Sequence, residues 1–183
     1  MNSRLEDYRQ QFQRIAAEAT ALAGGLAEDR FWRRPADGGW SVGECFAHLT
    51  AVGSEEVQAI EKATAEARAK GIAGTGPFRC PAWERLIVWM TEPPVKQKAP
   101  APKRFVPLPG QPAKVVMDGF LALQRQFVAQ VERADGLDLR RVKVPTPIGQ
   151  WLKLSLGGLL AQAAAHERRH LAQAKKVLAQ IPK

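Results

Sequence analysis

Apolar residues return at every third or fourth position in four long stretches of this chain, and that spacing commits it to helices packed against one another. The first stretch runs from residue 3 to about 30 through Leu5, Tyr8, Phe12, Ile15, Ala19, Leu22 and Leu26, and Pro35 closes it. The second opens on a capping box, Ser41 followed three residues later by Glu44. There the serine oxygen takes a backbone N–H and the glutamate reaches back to the cap. It carries Phe46, Leu49, Val52, Val57 and Ile60 to about Lys70, where GIAGTGP breaks it. The third spans Lys114 to Arg133 with Val116, Phe120, Leu123, Phe127 and Val131. An irregular stretch, RRVKVPTPIGQWLKL, then leads to Ser155, which caps a fourth helix through about Leu178.

Between the second and third helices, residues 71–112 hold nine of the thirteen prolines, around a short apolar run, Trp83 to Met90, suited to a small helix. Connections in bundles are usually about 2–8 residues. One this long implies a crossover between parallel neighbours or a lid over a site. The expected fold is therefore all-α: a single-domain four-helix bundle over residues 1–183, up-down-down-up, with a proline-rich crossover between helices two and three. That order brings helix four within reach of helix two.

The reach matters because all three histidines of the chain lie on those two helices. His166 and His170 form the run HERRH. On a helix, positions i and i+4 differ by about 40° around the axis and their Cβ atoms are about 6 Å apart, so the pair can chelate one ion. His48, two turns inside helix two, supplies a third imidazole. Three protein ligands with an open position is the arrangement of catalytic metal sites, and imidazole suits zinc, nickel and iron.

HERRH also fits H-E-x-x-H, in which Glu167 would be the general base of a metal-dependent peptidase or hydrolase. Only thirteen residues follow His170, none acidic or histidine, so that reading must borrow His48 as third ligand. It also needs an edge strand to align a peptide, and the chain has little strand character. Glu167 points about 100° away from His166, which fits a surface partner or a group behind the ligands better than a base. Gln173, one turn after His170, is placed either to orient a bound water or ligand or to make a hydrogen bond between helices. Arg168, Arg169, Lys175 and Lys176 on the same helix could draw an anionic substrate towards the site.

Cys45 and Cys80 do not make a disulfide framework. Cys45 reads as a packing thiol, because a fourth ligand would close the site to substrate. Trp40 is expected as a hydrophobic staple at the helix start, and Trp83 and Trp89 as packing for the proline-rich segment or, alternatively, as lining for the mouth of a pocket. The charge of +9 raises the question of nucleic acid, but the basic residues form no stripe and no recognition motif is present, so no nucleic-acid partner is expected. The N-terminal MNSRLEDYRQQFQRI lacks the apolar core of a signal peptide, and no run is long enough for a span. A cytoplasmic protein with no membrane partner follows. Bundles with exposed apolar helix faces also pair into homodimers.

Two motifs resemble the DinB/YfiT-like superfamily of bacterial metal-binding four-helix bundles. One is Trp40, Ser41 and Glu44 ahead of His48; the other is HERRHLAQAKKVL, with His166, His170 and Gln173. The resemblance implies that the three histidines bind a divalent metal, nickel, zinc or iron, with water completing the shell. It also implies a thiol-dependent reaction on a small-molecule substrate. Characterised members are transferases that add a low-molecular-weight thiol to an electrophile, and a mycothiol-dependent maleylpyruvate isomerase. A metal-storing, metal-sensing or dimerising module is the non-enzymatic alternative.

Overall fold

The computed structural model describes residues 1–94, 100–108 and 110–182. Its first helix, α1 (Ser3–Ala23), is capped by Asn2, whose side chain accepts from the amides of Arg4 and Leu5 at 3.1 Å. Leu5, Tyr8, Phe12, Ile15 and Ala19 form its buried stripe. The helix stops earlier than expected. Gly24 and Gly25 each cost about 1 kcal/mol in a helix interior relative to alanine, so the chain breaks there and restarts as the short α2 (Glu28–Trp32). Glu28 then accepts the first amide of the third long helix, from Ala113, with both carboxylate oxygens at 3.0 Å.

The capping box forms. Ser41 Oγ accepts from the Glu44 amide at 3.2 Å, and Glu44 accepts from the Ser41 amide at 2.8 Å, opening α3 (Val42–Ala69). Arg34 grips the same buried carboxylate with two nitrogens. The apolar run in the proline-rich segment becomes α4 (Ala82–Thr91), and Lys103–Phe105 forms a single 3-10 turn. Residues 95–99 and 109 of the expected crossover lie outside the described residues. Trp83 and Trp89 face outwards and do not pack the segment from within.

The long helix α5 (Ala113–Arg133) buries Val116, Phe120, Leu123, Phe127 and Val131. The final helix is α6 (Leu156–Gln180), capped by Ser155 Oγ on the Gly158 amide at 3.0 Å. Helices α1 and α3 each pack against both α5 and α6, and their aromatic residues meet in the middle. Phe12 stacks on Phe127 at 4.5 Å between ring centres, and Phe46 meets Phe120 edge-on at 5.0 Å.

The stretch before α6 is not irregular. It folds into an antiparallel hairpin, β1 (Lys143–Thr146) and β2 (Gly149–Ser155), with a bulge at Pro145 and Thr146. Val144 pairs with Leu154, both buried, while Lys143 and Lys153 on the alternate positions are exposed. Two prolines masked this period-two pattern, but a bulge and a two-stranded edge tolerate them. Strand β2 runs straight into α6, since Ser155 is both its last residue and the helix cap. The buried Glu84 of α4 accepts from the Ser155 amide at 2.8 Å and from its hydroxyl. A Cβ at Gly158 would stand 2.2 Å from the Glu84 carboxylate, so any larger residue there would push that side chain off the cap. No helix among the described residues is long and apolar enough to cross a membrane.

Candidate metal centre

Packing of α3 against α6 brings the three histidines together. Their candidate ligand atoms all lie within 4.8 Å of one another, the only described cluster of three or more histidine, cysteine or acidic groups close enough to hold an ion. His48 is 4% exposed. Its Nδ1 lies 2.8 Å from the carbonyl oxygen of Phe105 in the 3-10 turn. A carbonyl only accepts, so Nδ1 carries the proton and Nε2 presents its lone pair. That Nε2 faces His166 Nε2 at 3.4 Å. The His170 ring centre stands 4.8 Å from each of the other two.

Burial is the largest influence on all three rings. It lowers His48 against the opposing pull of the Phe105 carbonyl. His166 is pushed down to about 3, by burial first and then by the charges of His48 and Arg169. His170 falls well below its ordinary value for the same reasons, with Gln173 acting the other way. Neutral imidazole is the form that ligates. His170 Nδ1 is moreover buried without a hydrogen-bond partner, a cost of about 1–3 kcal/mol. The donor set and this orphaned nitrogen fit a divalent ion.

Trp40 lies over this cluster, 4.9 Å from the His48 ring and nearly parallel to His170 at 5.8 Å. It packs on the histidines, a place the staple reading did not anticipate. Cys45 is buried, outside the cluster, and its thiol is pushed up to about 12 by burial and then by the Glu44 charge. Of the basic residues on α6, Arg168 is held by Glu92 and Gln11, and Lys175 by Glu18. The charge of Arg169 acts on His166 and His170.

Glu167 is neither on the surface nor among the histidines. It is 3% exposed, and its Oε1 accepts from Gln124 of α5 at 2.8 Å. Burial raises its carboxyl to about 8, with Gln124 and Arg168 opposing. Glu56 of α3, also buried, is raised well above the usual range by burial and then by Glu167. Sequence reasoning missed Glu56, Gln124 and the Phe105 carbonyl. A lone glutamate in a helical run carries no signal of burial, and a backbone carbonyl has no sequence signature at all.

Facing helices of a bundle that converge three neutral imidazoles define a class of helical bundle with a site that could hold a metal ion. The chain belongs to the DinB superfamily, whose family model matches residues 11–174. Among solved structures it is similar to YfiT from Bacillus subtilis, described as a probable metal-dependent hydrolase with an unusual four-helix bundle topology. That similarity has a TM-score of 0.60 at 13% identity, over 94% of this chain and 85% of that one, and it bears on the fold. No curated protein matches the sequence.

Proposed function

We propose that this chain is a metal-dependent enzyme in which His48, His166 and His170 hold one divalent ion, nickel, zinc or iron, and that it catalyses a thiol-dependent S-transfer or isomerisation. The convergence of three neutral imidazoles, one with an unpartnered buried nitrogen, carries the reading. The ion, when bound, supplies Lewis acidity that lowers the pKa of a thiol or water so that a nucleophile exists near neutral pH.

The chain's own groups do the rest. Phe105 fixes the His48 tautomer, and Trp40 packs against the faces of His48 and His170. Arg169 places positive charge beside the site for an anionic group of the substrate, and Gln173 orients what binds next to His170. A low-molecular-weight thiol is favoured as cosubstrate because its ordinary pKa is about 8.5 against about 15.7 for water. It therefore needs no protein base, and no described carboxylate joins the cluster.

Hydrolysis is the second reading, favoured by the description of YfiT. Its peptidase form requires Glu167 as base, a residue that is engaged with Gln124. The same proposal takes residues 1–183 as one domain, with helices α1, α3, α5 and α6 running up-down-down-up and 71–112 as the crossover. It places the protein in the cytoplasm as a homodimer acting on a small molecule, without nucleic-acid or membrane partners.

Metal content of the purified protein, beside His48→Ala and His166→Ala, tests the site. One equivalent in the wild type, lost in both variants, is expected; retention without His48 would overturn it. Added thiols should then perturb the visible spectrum of the cobalt-loaded protein, and an unchanged spectrum would remove the thiol reaction. Cleavage of peptides abolished by Glu167→Gln would instead establish the hydrolase.

A further inference from the structure

His48 owes its orientation to a backbone carbonyl 57 residues away in a turn with little structure of its own. The 3-10 turn is closed by two local hydrogen bonds, Phe105 amide to Pro102 carbonyl at 2.8 Å and Val106 amide to Lys103 carbonyl at 3.2 Å. Among the described residues, the side chain that ties it to the rest of the molecule, beside the buried Phe105 ring and the carbonyl's own bond to His48, is Arg104. The guanidinium donates to Glu55 of α3 at 3.1 Å and to the carbonyl of Pro147 in the hairpin turn. It also lies 4.6 Å from the centre of the Phe105 ring.

The placement of these partners is specific. Glu55 follows His48 by seven residues, two helical turns at about 20° offset, so both project from one side of α3. Arg104 thus pins the turn to the helix face that carries the histidine. Pro147 belongs to the hairpin whose last residue caps α6, the helix of His166 and His170. One side chain therefore joins α3 to the hairpin that leads into α6. An isolated ion pair whose side chains are 57% and 45% exposed would add little. Here it acts with a carbonyl acceptor and an aromatic ring on the same guanidinium.

We propose that Arg104 is a positioning residue for the metal centre: by clamping the 3-10 turn to Glu55 and Pro147 it aims the Phe105 carbonyl at His48 Nδ1 and keeps Nε2 turned towards His166. The inference rests on the three-histidine reading for its consequence in metal binding, while the tautomer it fixes is a property of the chain alone. Loss of a group that orients a ligand typically weakens metal affinity about 10–100-fold.

The test compares wild type with Arg104→Gln, Arg104→Lys and Glu55→Gln. Arg133→Gln, which breaks an exposed pair with Glu61, is the control. Zinc affinity is measured by competition with a chromophoric chelator, and the histidine tautomers by long-range 1H–15N spectra with and without zinc. Arg104→Gln, one step removed from the group that bonds His48, should weaken zinc binding by up to about 10-fold and mix the His48 tautomers. Arg104→Lys should restore part of both, Glu55→Gln should show a smaller loss, and Arg133→Gln none. Wild-type affinity and an unmixed His48 tautomer in Arg104→Gln would overturn the assignment. If the wild type bound no zinc, the metal site would fall, and the zinc-free spectra would still decide what Arg104 does. If Arg104→Gln did not fold, Glu55→Gln would decide by the same two readouts.

Discussion

Replacing His170 with leucine should stabilise the metal-free protein and remove most of the stabilisation that metal brings. The metal-free protein buries His170 Nδ1 without a partner, and such a group costs about 1–3 kcal/mol. Leucine fills a similar volume with no polar atom to satisfy. A domain of this size moves its melting temperature by about 2–4 °C per kcal/mol, so in excess chelator the variant should melt about 2–12 °C above wild type. Saturation with metal at a hundred times Kd adds about 2.7 kcal/mol to whatever binds it. Wild type should then rise by about 5–11 °C, and the variant, reduced to two ligands, should barely move. Calorimetry of both proteins in chelator and in excess zinc measures all four midpoints. A variant less stable than wild type in chelator would refute the claim that Nδ1 is an unmet group. An equal zinc shift in both would refute its place among the ligands.

Glu44 is held below the usual carboxylate range by Arg34 and Ser41, against the opposing effect of its burial. Its contribution is present above about pH 4.5 and lost as the pH falls below that value through the folded pKa. Glu44→Gln should cost about 1–2 kcal/mol at pH 6 and progressively less as the pH falls below about 4.5, read by urea unfolding. Glu167 has the opposite sign: with its folded carboxyl raised to about 8, the metal-free native state keeps a proton that the unfolded chain releases. Stability should therefore fall between about pH 4.5 and 8, by up to about 1.4 kcal/mol per pH unit. Glu167→Gln should flatten that slope in denaturant titrations. The Cys45 thiol, buried and raised to about 12, should stay silent to a thiol reagent at pH 8 until guanidinium is added, and labelling of the native protein at Cys45 would contradict its burial.

What could be read from the sequence was what local physics encodes. The Ser41–Glu44 box needs only three residues of spacing, and the His166 and His170 pair only one helical turn. Both stand as expected. The double glycine at 24 and 25 was also local, but the apolar period through Leu22 and Leu26 continued across it and hid the break. The hairpin was obscured because Pro145 and Pro147 argued against a strand whose buried alternation, Val144 opposite Leu154, needs the bundle surface to be visible. Tertiary relations were the least legible. Nothing in the order of residues tells that Phe105 lends its carbonyl to His48, that Gln124 meets Glu167 in the core, or that Trp40 lies on the histidines.

The cap of α6 also sets an order of assembly. The helix body can form from its own neighbours within microseconds, as local helices do. Its first turn is completed by Glu84, a residue 71 positions earlier. Closing so long a loop carries an entropic cost that is repaid only once α4 has docked. The junction between β2 and α6 is accordingly completed only when α4 is in place, although the body of the helix that carries His166 and His170 needs no such partner.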